Sequence, residues 1–193
     1  EGKFVVLFAG TMGMQQGLDS ILEAASLCAQ TFPDARLVLA GGGTEKERLA
    51  QKAVDRKIGN VIFLPFRPPA AMGDVFGLAD ALLVHLKDDP VFQVTIPSKT
   101  QAYLFMGKPL IMAVRGDAAE VVCKADAGVV CRPEDPEDLV RAVGVISVMT
   151  QGERRAMGER ARLFYEQELS LQAGAAQFEK AFAQIAVAVG RKI

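Results

Sequence analysis

The stretch from Thr95 to Tyr103 holds the densest set of residues that could bind an anion. Pro97 and Ser98 are typical of the start of a helix, where free backbone N–H groups favour negative charge. Lys99 places a cation in the first turn, although a lysine there opposes the helix dipole. This combination is useful if a diphosphate lies against the helix start, so we expect Thr95, Ser98 and Lys99 to contact one. The alternative is a solvated surface lysine.

A glycine-containing loop earlier in the chain could bring backbone amides close to the same phosphates. It runs from Gly10 to Gly17, between an apolar run and a helical pattern. Glycine permits close approach of the backbone, and a helix start favours the negative charge. The spacing matches neither the dinucleotide motif G-x-G-x-x-G nor the Walker motif. We expect phosphate contacts at Gly10, Thr11, Gly13 and Gln16; glycines that only form a tight turn are the alternative.

Two further loops could contact the ribose and the base of a nucleotide. Gly41–Thr44 is a second turn between a strand and a helix, and Gly42 is its candidate contact. Pro65–Pro68 could present backbone groups and an aromatic edge to a nucleobase, with Phe66 and Arg67 as the candidate contacts. In both loops a turn without a binding role is the competing explanation.

Short apolar runs rich in β-formers alternate with helical spacing over most of the chain. The predicted strands are residues 4–9, 36–40, 61–64, 81–84, 110–114 and 128–131. The predicted helices are residues 18–30, 44–56 with Thr44 as a cap, a short helix ending at 78, 98–106, 117–124, 139–149, 153–165 and 171–189. This alternation predicts an α/β, Rossmann-like parallel six-stranded sheet with helices on both faces and a helical C-terminal tail over about 135–193. Ligands of such sheets bind beyond the carboxyl ends of the strands, where the candidate loops lie.

Bulk composition argues against several classes of protein. The chain has 193 residues, half of them hydrophobic, and a formal net charge of -1, which disfavours a broad nucleic-acid surface. No apolar run approaches the ~20 residues of a transmembrane segment, and no signal peptide is present, so we expect a cytoplasmic location. We expect a single domain over residues 1–193, cut from a longer protein. Cys28, Cys123 and Cys131 stand in apolar contexts and are predicted to be buried, reduced thiols.

The other polar residues give little sign of different chemistry. His85 is the single histidine, so a Ser-His-Asp or Cys-His system would have one possible base and no nucleophile motif. A structural role at a strand end is favoured for it. Asp88 and Asp89 are adjacent loop carboxylates without further ligands, and we expect no metal site there.

Short motifs follow one another along the chain in an order that is more specific than any one of them. They are Phe8–Thr11, Gly17–Asp19, Leu39–Gly43, Val61–Pro65, Leu78–Ala81, Ile96–Lys99, Gly107–Pro109 and Gly128–Val130. In this order the chain resembles the C-terminal domain of retaining GT-B glycosyltransferases of family 4, in particular the branch of WbuB-like N-acetylfucosamine transferases of surface-polysaccharide assembly. The resemblance covers nearly the whole chain.

The resemblance implies one half of a two-domain enzyme. An N-terminal domain, absent from this chain, would bind a glycan or lipid-linked acceptor, and the present domain would bind a nucleotide-sugar donor, which we expect to be UDP-linked. No metal cofactor is implied, because positive groups and helix-terminal amides stabilise the leaving diphosphate. Hexosyl or N-acetylhexosaminyl transfer in bacterial surface polysaccharide or glycan assembly is expected. The isolated domain would be inactive, and the full-length protein would be cytoplasmic or peripheral to a membrane.

Four positions depart from the family pattern. Thr11 and Gln16 stand where many members carry an Arg and a Lys, and Val94 and Ala102 stand where they carry two glutamates near the sugar and the ribose. We expect a branch-specific site in which ribose contacts fall to neighbours such as Gln101. A non-catalytic nucleotide-binding module stays an alternative. So does a sugar-nucleotide 2-epimerase of the same architecture, although that class relies on histidines and carboxylates that one histidine supplies poorly.

Overall fold

Six parallel strands form one sheet in the computed structural model, which describes residues 2–68, 71–188 and 190. The strands are β1 (Phe4–Ala9), β2 (Ala35–Ala40), β3 (Val61–Leu64), β4 (Ala81–His85), β5 (Leu110–Ala113) and β6 (Gly128–Val130). Their order across the sheet is β3-β2-β1-β4-β5-β6, and each neighbouring pair is parallel. The predicted Rossmann-like parallel sheet is confirmed.

Helices connect the strands and then continue alone to the end of the described chain. They are α1 (Asp19–Thr31), α2 (Lys46–Asp55), α3 (Met72–Gly77), α4 (Ser98–Met106), α5 (Asp117–Lys124), α6 (Pro136–Ser147), α7 (Gln151–Phe164) and α8 (Leu171–Ala188). A π-helical segment, Tyr165–Leu169, joins α7 to α8. The predicted helical tail is confirmed, although its predicted last helical residue, 189, lies outside the described ranges. Helix α2 begins at Lys46 and has no side-chain cap, so the predicted cap at Thr44 was wrong: residues 44 and 45 form a turn first.

The sheet is apolar on both faces because helices cover both. Along β1, Val6 and Phe8 belong to one core with residues of α1, α2 and α6, while Leu7 and Ala9 belong to a second core with residues of α3, α4, α5 and α7. All four side chains are buried. Burial on both sides explains why the strands read as continuous apolar runs rather than as alternating patterns.

The strand order reverses between β1 and β4, which is where open parallel sheets bind their ligands. The two strands pair at two positions, the second being Leu7–Leu82, and the pairing does not continue towards their carboxyl ends. Tyr103 of α4 fills the gap: its hydroxyl group accepts a hydrogen bond from the Ala9 amide (2.8 Å) and donates one to the Ala9 carbonyl (2.9 Å). A crevice therefore opens beside the end of β1, with α4 as one wall.

The prediction of three buried thiols is confirmed for two and wrong for one. Cys28 and Cys131 are buried, whereas Cys123 is exposed. Helix α5 buries Ala118 and Val122, which lie one turn apart. The residue that follows Val122 is rotated by about 100° around the helix axis and faces solvent.

Helix α8 carries a stripe of exposed apolar side chains. Leu171, Phe178, Phe182 and Ile185 are each more than half exposed, and the two phenylalanine rings stack at 6.3 Å between centroids. Neither α8 nor another helix within the described ranges is long and apolar enough to cross a membrane.

Candidate functional site

A cleft of about 590 Å³ opens at the carboxyl ends of β1 and β2, between their loops and helices α3 and α4. Six of the eleven residues that the sequence predicted as contacts line it, namely Gly10, Thr11, Gly42, Phe66, Arg67 and Lys99. The other described lining residues are Ala9, Ala40, Gly41, Gly43, Met72, Phe76, Ala102 and Tyr103. Each of the four predicted segments thus contributes to one cavity at the switch point of the sheet.

The ammonium group of Lys99 lies in the wall of this cleft without a polar partner. Its Nζ atom is buried and has no hydrogen-bond acceptor among the described residues. It lies 3.0 Å from the position that a Cβ atom on Gly10 would take, and 3.8 Å from the centroid of the Phe8 ring. Burial lowers the pKa of Lys99 to about 8. A buried cation stabilised by a ring face alone is costly, so this position suits the binding of an anion.

Tyr103 lies one turn further along α4 and forms part of the cleft wall. Its ring packs edge-to-face on Phe76, with centroids 5.8 Å apart. Because its hydroxyl group already bonds to both backbone groups of Ala9, and because burial raises its pKa well above the usual value, Tyr103 has no free proton to offer a ligand. Its role is to fix α4, and with it Lys99, against the end of β1.

The two glycine loops are bonded to each other beyond the ends of their strands. The Gly10 amide donates to the Ala40 carbonyl (2.9 Å) and the Met12 amide donates to the Gly42 carbonyl (2.7 Å), which extends the β1–β2 ladder. Gly41 has a φ of 142°, and a Cβ atom there would lie 2.1 Å from the Gly10 carbonyl oxygen. This close approach requires glycine at position 41.

The same hydrogen bonds reduce the number of backbone amides with which the first loop can bind an anion. The amides of Gly10 and Met12 donate within the loops, and the Gly13 amide donates to the side-chain carbonyl of Gln16 at 2.9 Å. Of the four amides from Gly10 to Gly13, only that of Thr11 has no acceptor in the part of the chain that the structure describes. A phosphate in the cleft would therefore meet the Thr11 amide and the Lys99 amine.

Residues 1–164 match the family described as glycosyl transferases group 1. The chain belongs to this family. WcaI of Escherichia coli (strain K12), to which a glycosyl transferase role in colanic acid biosynthesis is ascribed, is 30% identical over 148 residues, which cover 74% of this chain and 35% of WcaI. Glycogen synthase of Mycobacterium tuberculosis (strain ATCC 25618 / H37Rv) is 25% identical over 164 residues, which cover 84% of this chain and 38% of the synthase. The chain thus spans little more than a third of the length of these curated relatives.

Several solved structures share the fold. HepE from Anabaena, solved with UDP, superposes with a TM-score of 0.78 at 19% identity, over 95% of this chain and 49% of HepE. The C-terminal domain of the group 1 glycosyl transferase LpcC from Francisella tularensis superposes with a TM-score of 0.71 at 15% identity, over 88% of each chain. This likeness is one of fold, and it confirms the predicted GT-B-type architecture.

Five of the predicted contact residues of this group 1 family member do not line the cleft. Gly13 and Gln16 bond to each other, and the Thr95 hydroxyl group donates to a carbonyl in its own loop at 3.0 Å. Ser98 and Gln101 are exposed on α4. Their contribution to ligand binding stays a prediction.

Three residues that position or line the cleft were missed by sequence reasoning. The Nζ atom of Lys46 lies 2.8 Å from the carbonyls of both Gly41 and Leu64, so it clamps the ends of β2 and β3 together. Met72 and Phe76 face the cleft from α3. A signal existed for Lys46, because a lysine at the first position of a helix opposes the dipole as Lys99 does. Helix α3 is too short for its apolar spacing to be read.

His85 is buried behind the first loop and does not line the cleft. Its Nδ1 atom lies 2.7 Å from the Gln16 carbonyl and its Nε2 atom lies 3.0 Å from the Ser20 hydroxyl group. Burial is the main cause that lowers the pKa of His85 to about 4. The neutral ring therefore donates from Nδ1 to the Gln16 carbonyl. Its Nε2 atom lies beside the Ser20 hydroxyl group, which itself donates to the Gly17 carbonyl at 2.7 Å. Both nitrogens serve the fold, which leaves the epimerase alternative without a histidine in the cleft.

The loop carboxylates after β4 are also engaged in structure. Asp88 forms a two-pronged ion pair with Arg115, at 2.9 and 3.1 Å. Asp89 caps a 3-10 turn by accepting from the Val91 amide at 2.9 Å. Across residues 2–68, 71–188 and 190, no three His, Cys, Asp or Glu side chains converge as ligands of a metal ion would.

A second cavity, of about 460 Å³, lies at the opposite edge of the sheet, before the starts of β4 and β5. Asp80 and Arg154 line it, and they already have partners: the Asp80 carboxylate accepts from the Val5 amide at 2.9 Å, and Arg154 donates to the Met149 carbonyl at 2.5 Å. Ligands of parallel sheets bind at the carboxyl edge instead. The cleft beside Lys99 is the better candidate site.

Proposed function

We propose that this chain is the donor-binding half of a retaining glycosyltransferase and that its cleft holds the nucleotide of a nucleotide sugar, with UDP as the expected nucleotide. In this scheme the present chain binds the donor, a second domain binds the acceptor, and the sugar is transferred between them. It is supported by the position of the cleft at the switch point of the sheet and by the residues that line it.

One observation carries the proposal: the buried Nζ atom of Lys99 has no hydrogen-bond partner among the residues that the structure describes, and it lies against Gly10 at the carboxyl edge of the sheet. A diphosphate would supply the missing acceptors and neutralise the charge. The free amide of Thr11 would add one donor from the facing loop. The start of α4 would add the amide of Lys99, which precedes the first helical hydrogen bonds.

The base of the nucleotide would lie at the other end of the cleft. Phe66 is 71% exposed there and Arg67 is exposed beside it, so both can lie against a flat ring. Met72 and Phe76 add an apolar surface. Aromatic and guanidinium groups stack on bases with little preference for one base, so the nucleotide has to be identified by measurement.

The relatives support the division into halves and the choice of nucleotide. HepE was solved with UDP and with UDP-glucose, and this chain covers about half of it. The LpcC structure, of which this chain covers 88%, is that of a C-terminal domain. WcaI is ascribed to colanic acid biosynthesis. We therefore propose that an N-terminal domain elsewhere in the protein binds the acceptor. The proposed reaction is hexosyl or N-acetylhexosaminyl transfer onto a glycan or lipid-linked acceptor. We place the protein in the WbuB-like branch of surface-polysaccharide assembly.

The proposed chemistry requires stabilisation of the leaving diphosphate rather than a general base in this half. Lys99 and the Thr11 amide would contact the diphosphate, whose negative charge rises as the bond to the sugar breaks. No metal ion is needed for that role. This chain alone should bind nucleotide and transfer nothing, because the acceptor would bind to the other half. The proposed location is the cytoplasm, where the three free cysteines would stay reduced.

Isothermal titration calorimetry of this chain with UDP, GDP, ADP and CMP tests the proposal directly. Binding of at least one diphosphate nucleotide is expected, with UDP the tightest, and CMP is expected to bind more weakly because it has one phosphate fewer. If none of the four binds to this chain or to the full-length protein, the donor-binding assignment is wrong. A nucleotide that binds equally well to a Lys99→Met variant would locate its phosphates elsewhere.

A further inference from the structure

Lys46, the first residue of α2, ties together two loops that border the cleft. Its ammonium group donates to the Gly41 carbonyl and to the Leu64 carbonyl, each at 2.8 Å. Gly41 follows β2 and Leu64 ends β3, so the two acceptors belong to neighbouring strands at the carboxyl edge of the sheet. A lysine at this position opposes the dipole of its own helix, and two charge-assisted hydrogen bonds offset that cost.

Few other bonds hold the segment that follows β3. The ladder between β2 and β3 ends at the pair Ala40–Leu64, and one longer bond follows it, from the Gly41 amide to the Leu64 carbonyl at 3.3 Å. Within the part of the chain that the structure describes, no backbone hydrogen bond joins residues 65–67 to another segment. The position of residues 65–67 therefore depends on where the Leu64 carbonyl is held.

Phe66 and Arg67 line the end of the cleft at which the proposed function places the base. The Phe66 Cβ atom lies 3.9 Å from the position that a Cβ atom on Gly42 would take. Lys46 is not one of the described residues that line the cleft, so it would act on a ligand through residues 65–67. Lys99, the proposed contact of the diphosphate, lies on a different helix. The two bonds of Lys46 thus concern one end of the cleft only.

We propose that Lys46 is a positioning residue for recognition of the base. By holding the ends of β2 and β3 together, it keeps Phe66 and Arg67 where they can lie against the base of a nucleotide. The inference rests on the proposed function. Stacking on an aromatic side chain strengthens the binding of a base about tenfold or more. Part of that gain is lost when the side chain has to be ordered on binding, and the ties of Lys46 reduce this loss.

The test compares the binding of UDP with that of inorganic pyrophosphate, which carries two phosphates and no base, by calorimetry of this chain. We expect Lys46→Met to weaken UDP about tenfold and pyrophosphate less than about twofold, because only UDP uses residues 65–67. Lys46→Arg can donate to both carbonyls and should bind UDP within about threefold of wild type. Lys52→Met is the control on the same helix; its ammonium group pairs with Asp19, and neither affinity should change.

The two-ligand comparison separates a positioning role from a purely structural one. A loss of affinity that is equal for UDP and pyrophosphate, or no loss for either, would overturn the inference while the proposed function stands. If wild type binds no UDP, the proposed function is wrong and the inference falls with it. Urea denaturation checks that each variant is folded. If Lys46→Met does not fold, Lys46→Gln replaces it, and the same outcomes decide.

A double-mutant cycle with Phe66→Ala tests the route by which Lys46 acts. If Lys46 acts through residues 65–67, its replacement by Met should weaken UDP less than about threefold in the Phe66→Ala background, against about tenfold in wild type. Losses of equal size in the two backgrounds would mean that Lys46 and Phe66 contribute independently. That outcome would overturn the inference and leave Phe66 as a separate contact of the base.

Discussion

Two buried ionisable side chains lie near the carboxyl edge of the sheet, and they differ in whether their hydrogen bonds are made within the chain. His85, at the end of β4, uses both ring nitrogens on the first loop and helix α1. Lys99, at the start of α4, has a buried amine with a ring face beside it and no hydrogen-bond acceptor in residues 2–68, 71–188 and 190. The same edge of the sheet thus has a paired part, which includes His85 and the bonded glycine loops, and an unpaired part around Lys99.

The difference in pairing predicts which residues contribute to folding stability and which contribute to ligand binding. Groups that are paired within the chain stabilise the folded state, and their loss leaves partners unsatisfied. A buried cation without an acceptor gives no such stabilisation, and its occurrence is typical of a functional site. Substitutions in the paired part should therefore lower the free energy of unfolding, whereas substitutions of Lys99 should change ligand affinity. The predictions that follow test this separation.

The largest effect is expected for Gly41→Ala in the paired part. The new Cβ atom would lie 2.1 Å from the Gly10 carbonyl oxygen, at a φ of 142° that favours glycine. We expect a loss of about 3 kcal/mol or more in the free energy of unfolding, measured by urea denaturation. Gly42→Ala is the matched control, because its nearest neighbour, the Phe66 Cβ atom, is 3.9 Å away. Similar stabilities for the two variants would contradict the interlocked arrangement of the loops.

The next effect is a pH dependence of stability that arises from His85. Its pKa is lowered to about 4 in the folded chain, against about 6.5 when unfolded. Between these values the unfolded chain binds a proton that the folded chain does not, so stability is complete above pH 6.5 and falls as the pH drops towards 4. The loss should reach about 3 kcal/mol.

Denaturation of wild type and of His85→Asn at pH 7, 6, 5 and 4 measures this dependence. The variant should be less stable at pH 7, because it loses at least one buried hydrogen bond, but its stability should change less between pH 6.5 and 4. The lowered carboxylate pKa values, such as that of Asp19, act mainly below pH 4, so they leave this window to the histidine. Parallel curves for the two proteins would show that His85 is not the titrating group.

Lys99→Met is expected to change nucleotide affinity rather than stability. Its effect in free energy should be smaller than the two stability effects above. The substitution removes the unpaired ammonium group and keeps the apolar stem of the side chain. Nucleotide diphosphate affinity should fall by about 10- to 100-fold, the contribution of a charge-assisted hydrogen bond, while the free energy of unfolding should be unchanged or higher. Lys124→Met, at an exposed lysine of α5, is the control for charge alone. A clear loss of stability in Lys99→Met would mean that Lys99 belongs to the paired part.

The strands and the candidate binding segments at the carboxyl edge of the sheet could be predicted from the sequence, because local residue patterns determine them. The run of residues 4–9 is apolar throughout, as a strand buried on both faces must be, and Lys99 could be singled out because it opposes the dipole of its own helix. The carboxyl-edge rule then brought all four candidate segments to one cleft. None of these steps needed knowledge of which side chains meet in space.

The pairing of the polar groups could not be predicted in the same way. The amides of Gly10 and Met12 are engaged because β2 lies beside β1 and its glycine loop follows the same path, and this neighbour relation is not encoded in the first loop itself. The role of Tyr103 depends likewise on the divergence of β4 from β1. Local sequence identifies groups able to bind a phosphate, but only the fold determines which of them stay unpaired.

The smallest predicted effect is a pH dependence of nucleotide affinity that arises from Lys99. Its pKa is about 8 in the free chain, and a bound diphosphate would raise it by favouring the charged form. Affinity should therefore be complete below pH 7.5 and weaken several-fold by pH 9, where binding requires the amine to take up a proton first. Titrations at pH 8.5 in two buffers of different ionisation enthalpy measure that proton directly.

Proton uptake on binding should disappear in Lys99→Met and persist in His85→Asn. The histidine is already neutral throughout this pH range, and Tyr103, whose pKa is raised, stays protonated. Lys99, whose pKa of about 8 lies close to this range, is therefore the side chain that is expected to take up the proton. Uptake that survives in Lys99→Met would place the titrating group outside the cleft, and the unpaired amine would then have no part in recognising the phosphates.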